Sequence, residues 1–523
     1  MLKQMLKKQI QDAIKISFSK AEMPGFSIDD ADSKFGDYST NAAMILAKQI
    51  GDNPLEVAKK LIDNIGQDGL IETMEVAGPG FINFRIQVSF LNSKILEIIK
   101  AGDNFGKSDL GKDLKVNVEF ISANPTGPLT LGNGRGGFFG DTLARVFEAY
   151  GSKVTREYYI NDRGAQIIAL GHSVLKDDEA VYKGSYIDEI APRITAKTPT
   201  EAGFQAAAIL TEEYIKKTVK KMGIDFDHFF SEKSLFDNGT VFAMLERLGE
   251  LRLTYEKDGA LWLKTSDYGD DKDRVLVTKE GEHTYFAADI AYHFDKIRRG
   301  YDLLINFWGA DHHGYVGRMQ AAVEILRKEE DWNGELQIVI AQLVRLMSDG
   351  KEVKMSKRAG TYVTLDELLE EVGPDVTRFF FLDRSLDTHM DFDLDLAKEK
   401  SQKNPCFYIQ YAYARISSIL NKIDGDLAQD LAELKEKEEL ELIKELIKLP
   451  ELVNEIVADM QIQKLTFYAI KLAESFHHFY ENCPVIKAED PKVSAARVQL
   501  LLATKIVLKN TLDLIGISAP EKM

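Results

Sequence analysis

Three short stretches carry residue types and spacings suited to chemistry. The first is NPTGPLTLGNGRGG, Asn124 to Gly137. Gly132 and Gly134 let a backbone come close to a ligand. The helix predicted from about Gly136 would aim its N-terminus, which favours phosphate, at whatever sits there. The stretch lacks the lysine of a GxxxxGK[ST] loop and is not a clean GxGxxG opening, so these residues alone also allow a turn with no ligand. The second is KMSKR, Lys354 to Arg358. Lys354 and Lys357 are cations suited to the charge that develops on a leaving pyrophosphate, or to an ordinary surface loop. The third, TYFAADIAYHF, places Tyr285, Asp289 and Tyr292 at i, i+4 and i+7, on one helix face. An acid flanked by aromatic residues suits a planar, permanently charged guanidinium, which pairs best with a carboxylate. A surface cap or salt bridge would use the same acid.

Elements that could position these residues are visible around them. KVNVEFIS reads as a strand with little polar interruption, as expected inside a parallel sheet. GDTLARVFEAYG reads as a helix stopped at Gly151, and KVTREYYIND as a second strand. Strand, glycine stretch, helix, strand is the βαβ unit of a doubly wound nucleotide-binding sheet. SDGKE is a hairpin turn ahead of the lysine loop, and TLDE (Thr364 to Glu367) is a capping box that opens the next helix. Nearer the start, FGDYSTNAAMILAKQIGDNPLEVAKKLIDNIG reads as two helices around a GDNP break, and IETMEVAGPGFINFRI as strand, turn, strand. DNFGKSDLGKD reads as a linker. After Asp395 every pattern has helical spacing. The expected fold class is multidomain α/β: an N-terminal α+β domain (1–112), a Rossmann-type parallel-sheet catalytic domain (113–395) and a C-terminal all-helical bundle (396–523).

The chain has 523 residues, too many for one compact core. Its 45% hydrophobic and 28% charged content is that of an ordinary soluble enzyme. No apolar run approaches the roughly 18 residues of a membrane helix. The amphipathic start lacks the apolar block of a signal peptide. Cys406 and Cys483 are the two cysteines; their separation excludes a disulfide framework and a CxxC zinc site and fits a reducing cytoplasm. A net charge of −17 argues against indiscriminate nucleic-acid binding but leaves room for a specific RNA partner. KKTVKK, Lys216 to Lys221, reads as a solvated helix face.

KMSK is similar to the second signature of class I aminoacyl-tRNA synthetases, and PLTLGNGRGG stands where their first, His-x-Gly-His, belongs. EFISANPTGPL, GDTLARVFEAYG, REYYINDRGAQI, GDDKDRVLV, TYFAADIAYHFDK, WGADHHGY, YIQYAYARI and GISAPEKM resemble the arginyl-tRNA synthetase family, as do FGDYSTNAAM and AGPGFINF near the start. The resemblance runs essentially end to end. It implies ATP-dependent activation of L-arginine to arginyl-adenylate, generally with tRNA already bound, and transfer to the 3′-terminal adenosine of tRNA(Arg). ATP would act as its magnesium complex, with no zinc and no organic cofactor. The implied partners are tRNA(Arg), L-arginine and ATP, with no membrane, and a cytoplasmic monomer is expected.

The resemblance also assigns residues. Thr130 and Asn133 replace the signature histidines, and both keep a hydrogen-bond donor. With Lys354 and Lys357 they form the implied catalytic set. Gly132, Met355 and Ser356 fall to ATP. In WGADHHGY, Gly309 would let the adenosine approach, Asp311 could accept from a ribose hydroxyl, and His312 joins the ATP site. A metal at His312 and His313 is disfavoured, because adjacent side chains point apart and no third ligand is evident. Arginine recognition is carried onto Glu119, Asn124, Tyr285 and Asp289, with Gln166 beside them. Phe81 and Asn83 of GFINF would meet unpaired bases at the tRNA elbow, and Tyr408, Tyr411 and Arg415 the anticodon loop. Relatives often carry His where Tyr413 stands. A non-catalytic tRNA-binding relative with a degraded adenylation site is the alternative; retention of both lysines favours a working site.

Overall fold

The structure is a computed structural model. It describes residues 2–32, 34–66, 69–353, 364–423, 431–486, 488 and 490–523. At its centre lies a five-stranded sheet built from β1 (Lys115–Glu119), β2 (Lys153–Ile160), β3 (His228–Ser231), β4 (Leu303–Gly309) and β5 (Glu335–Ala341). All neighbours are parallel, in the order β5-β4-β1-β2-β3. Residues 116–119 of β1 are buried on both faces, which is why that strand reads as nearly uninterrupted in sequence. The chain runs outward from β1 to β3, then returns on the other side to β4. The crevice beyond the carboxyl ends of β1 and β4 is therefore a topological switch point, where doubly wound sheets hold ligands.

Helix α1 (Leu131–Tyr150) connects β1 to β2 and ends at Gly151, whose φ of 101° is left-handed. It starts five residues earlier than the sequence pattern suggests, so the glycine stretch is its first turns and not a loop. Thr130 and Asn133 close a capping box there and supply the start signal that the glycines mask. Those glycines serve close packing. A Cβ at Gly140 would lie 2.3 Å from the Phe120 ring, at Gly137 2.9 Å from Ile121, and at Gly134 2.6 Å from Leu365. Gly132 differs: its nearest neighbour would be the Thr130 hydroxyl at 3.9 Å.

Beyond β5, Val344–Ser348 and Lys351–Glu352 form a hairpin through Asp349 and Gly350, both at positive φ. Val344–Ser348 also pairs in parallel with Met390–Asp393. Helix α2 (Tyr285–Arg298) precedes β4, and α3 (Leu365–Val372) opens on the Thr364–Glu367 capping box. Thr364 bridges Thr130, and the Leu365 amide donates to the Leu129 carbonyl at 3.0 Å. The chain thus returns to the first signature immediately after the lysine stretch. Lys354, Met355, Ser356 and Lys357 themselves lie outside the described residues.

Two further units flank the sheet. Before it, strands Ile28–Asp30, Tyr38–Thr40, Phe81–Ile86 and Ile71–Ala77 form an antiparallel sheet packed with helices Leu2–Ser17, Ala42–Ile50, Pro54–Ile62 and Val88–Ala101. After residue 404 the described elements are all helices: Pro405–Leu420, Lys437–Leu446, Leu449–Asp459, Gln463–Asn482 and Pro491–Ile515. None of the described helices is long and apolar enough to cross a membrane.

Candidate active site

A cavity of about 710 Å³ opens at the carboxyl ends of β1 and β4. A narrower one of about 340 Å³ adjoins it, sharing Ile121, Thr130, Asn133, Phe307, Trp308 and Gly309. The larger cavity collects Glu119, Asn124 and Gln166, Tyr285 and Asp289 from α2, and Thr130 and Asn133 from the start of α1. Gly309, Asp311 and His312 line it too, and Gly132 lines the smaller one. His313 lines neither.

The start of α1 has a defined polarity. The Thr130 amide donates to Asn133 Oδ1 at 2.9 Å, and the Thr130 hydroxyl donates to the same oxygen at 2.8 Å. A backbone N–H can only donate, so the oxygen of the Asn133 amide must face it. The Asn133 NH2 is left pointing away from the cap. Thr130 uses its only hydroxyl proton inside the cap, so the two side chains are not equivalent: only the Asn133 NH2 is free to donate outside it.

The carboxylate end is buried. Asp289 accepts from the Tyr315 hydroxyl at 2.6 Å. Burial pushes its carboxyl up to about 7, with the Glu119 charge adding and the Tyr315 bond opposing. Glu232, the residue after β3, is 3% exposed. Burial pushes its carboxyl up to about 8, the Asp289 charge adds, and Arg163 opposes. Two raised carboxyls, one feeling the charge of the other, are what a bound cation would relieve. Spacing gives no sign of Glu232, because it follows β3 and not α2.

Glu119 is already engaged. Its oxygens accept from the fully buried Lys296 at 2.7 Å and from Ser122 at 3.0 Å. Ile121 and Ser122 both have positive φ, 66° and 39°. A β-branched residue there is a true outlier, and strain of this kind clusters at functional sites. The turn it makes lets Ser122 also accept from the Tyr159 amide at 3.0 Å. Beneath Asp289, His293 Nδ1 donates to the Asp289 carbonyl at 2.7 Å and Nε2 accepts from Asn306 at 2.8 Å. Burial, then Lys296, pushes His293 down to about 3, so this ring is neutral and fixes the α2 backbone. A chain of amides closes the other wall: Asn161 donates to Asn124 at 2.6 Å, and Asn124 to Gln166 at 2.7 Å. Among the described residues no cluster of His, Cys, Asp or Glu could hold a metal ion.

The outer faces hold the remaining sequence candidates. Phe81 is 38% exposed, whereas Asn83 is buried beside it. Arg415 donates to the Tyr411 hydroxyl at 2.9 Å and lies 4.6 Å from the Tyr480 ring centre. Tyr408 and Tyr411 both pack on His477, at 4.9 and 6.1 Å. Tyr413 is buried and belongs to the core, not to this face.

Comparison with known families matches three models along the chain. Residues 3–86 match the arginyl tRNA synthetase N terminal domain. Residues 94–189 and 197–379 match the class I (R) tRNA synthetase catalytic domain, and 409–523 match the DALR anticodon binding domain. An arginine–tRNA ligase of Citrifermentans bemidjiense is 44% identical over 97% of this chain and 96% of its own. One of Aquifex aeolicus is 40% identical over the whole of both chains. The arginyl-tRNA synthetase structure of Thermus thermophilus superposes with a TM-score of 0.81 at 22% identity, covering 100% of each chain.

Proposed function

The chain belongs to the arginyl-tRNA synthetase family, and from that premise we propose how its own residues carry out arginine–tRNA ligation. L-Arginine occupies the larger cavity with its guanidinium on Asp289, under Tyr285, and the buried Glu232 charge supports it from outside the lining. Its amino acid end lies toward Asn124 and Gln166, with Glu119 held ready by Lys296. ATP, as its magnesium complex, lies across the smaller cavity. The backbone of Gly132 and Gly309 passes close to it, and Asp311 and His312 meet the ribose side. The Asn133 NH2 donates where charge develops on the α-phosphate, at the N-terminus of α1, which favours that charge. Lys354 and Lys357 act on the departing pyrophosphate. The tRNA 3′ end enters past Tyr285 and Arg163, the latter stacked 3.7 Å over Phe236. Phe81 faces the tRNA elbow, with Asn83 buried behind it and not reaching a base, and Tyr408, Tyr411 and Arg415 face the anticodon loop. The chain works as a cytoplasmic monomer with a domain division at 112/113 and 395/396.

The observation that carries this reading is the buried Asp289 carboxyl, lining a cavity that begins at a phosphate-favouring helix N-terminus, with the buried Glu232 carboxyl within reach of its charge. The test is equilibrium binding of L-arginine across pH. A guanidinium binds the ionised carboxylates, so binding expels the protons that burial retains near pH 7. Affinity is expected to fall about tenfold or more between pH 8 and pH 6, and Asp289→Asn to abolish it. Binding that is flat across that window would remove the carboxyl pair from arginine recognition.

A further inference from the structure

Arg135 lies in the second turn of α1, two residues past Asn133, and is fully buried. Its guanidinium makes no hydrogen bond to a carboxylate. Instead Nη1 donates to the Gln342 carbonyl at 3.1 Å and the Thr388 carbonyl at 2.7 Å, and Nη2 donates to the Ser385 carbonyl at 2.7 Å. Nε has no partner. The Asp387 charge is its counter-ion through space but makes no hydrogen bond to it, and a buried cation held by carbonyls alone is costly unless something else requires it. Burial pushes the group down to about 10.

The three carbonyls are not scattered. Gln342, with Leu343 and Val344, forms the wall of the smaller cavity opposite Gly132 and Asn133. The Gln342 amide donates to the Leu386 carbonyl at 3.0 Å, and the Met390 amide to the Leu343 carbonyl at 3.1 Å. Residues 385–390 lead into Met390–Asp393, which pairs with Val344–Ser348, the strand that feeds the lysine stretch. One planar fork on α1 therefore holds both the cavity wall and the base of that hairpin.

We infer that Arg135 is a positioning residue for the nucleotide: it sets the distance between the Thr130–Asn133 cap and the wall formed by Gln342 and Leu343. This rests on the reading of the smaller cavity as the ATP site. Lysine keeps the charge but cannot span three carbonyls; methionine removes both charge and fork.

Steady-state kinetics on Arg135→Lys and Arg135→Met, with folding checked by thermal unfolding, separate the possibilities. Arg135→Met is expected to raise KM for ATP about tenfold or more while KM for arginine stays within about twofold of the parent. Arg135→Lys should recover only part of that loss. An unchanged KM for ATP overturns the inference. So does an equal rise in both KM values, or failure of both variants to fold, because Arg135 would then be a packing residue only. A parent enzyme that shows no saturation by ATP would remove the nucleotide reading, and the positioning role with it.

Discussion

At the scale of single residues, the site divides labour between neighbours that sequence alone makes look alike. Thr130 and Asn133 both bring donors, yet only the Asn133 NH2 is free of the cap. Asn133→Asp separates the roles, because its carboxylate still accepts from the Thr130 amide but donates nothing. It should unfold at the parent's temperature while its activation rate falls by about two to three orders of magnitude. Activation within about threefold of the parent would take the amide out of the chemistry. Asp289 carries a second consequence. Its folded carboxyl is raised from 3.8 to about 7, so the folded state binds this proton more tightly than the unfolded one. Folding is therefore favoured below about pH 4, and this contribution is lost as pH rises towards 7. Asn at 289 escapes that penalty. Asp289→Asn should melt higher than the parent at pH 8, by a margin on the order of a few kcal/mol, while losing arginine binding. Equal melting would mean that the carboxyl is not strained by burial.

At the scale of elements, legibility depended on whether one helix or several strands made the contact. The face of α2 was readable because Tyr285, Asp289 and Tyr292 repeat at helical spacing, and all three line the cavity. Lys296, further along the same helix, reaches Glu119 and carries no mark of that in the sequence. Glu232 and Arg135 were invisible for the same reason: the end of β3 puts the first within the charge of Asp289, and the second grips carbonyls from distant segments. The doubly wound sheet, the antiparallel unit before it and the helices after it were legible from the change of period. The start of α1 was not, because glycines normally signal a loop. They are present so that α1 can lie against β1 and its following turn. Gly140→Ala should therefore destabilise the protein by about 1–3 kcal/mol in a denaturant titration, since the new methyl would meet Phe120 at 2.3 Å. An unchanged midpoint would show that α1 has room to move.

At the scale of the whole molecule, the first and last units grip one another and together hold α1. Lys448 pairs with Asp30 at 2.8 Å, and Lys444 with Asp37. Asn92 donates to the Leu431 carbonyl at 2.8 Å, and Asn510 to those of Gly102 and Phe105 at 3.0 and 2.9 Å. Arg378 joins Asp141 of α1 to the Ile515 carbonyl, at 2.7 and 3.1 Å. Asp141 is held below the usual carboxylate range by Arg378, Arg145 and Arg156, against the effect of burial. The helix that begins at Thr130 and Asn133 thus rests its middle, at Asp141 and Thr142, against the last turn of the helical unit. A tRNA held by both outer units would be fixed relative to the Thr130–Asn133 cap. The most direct measurement is arginine-dependent ATP–pyrophosphate exchange with and without tRNA(Arg). Exchange that requires the tRNA is expected, with the Asn133 NH2 supplying the donor at the α-phosphate. No exchange under either condition, from folded protein that still binds the tRNA, would contradict it and mark the start of α1 as a lost active site.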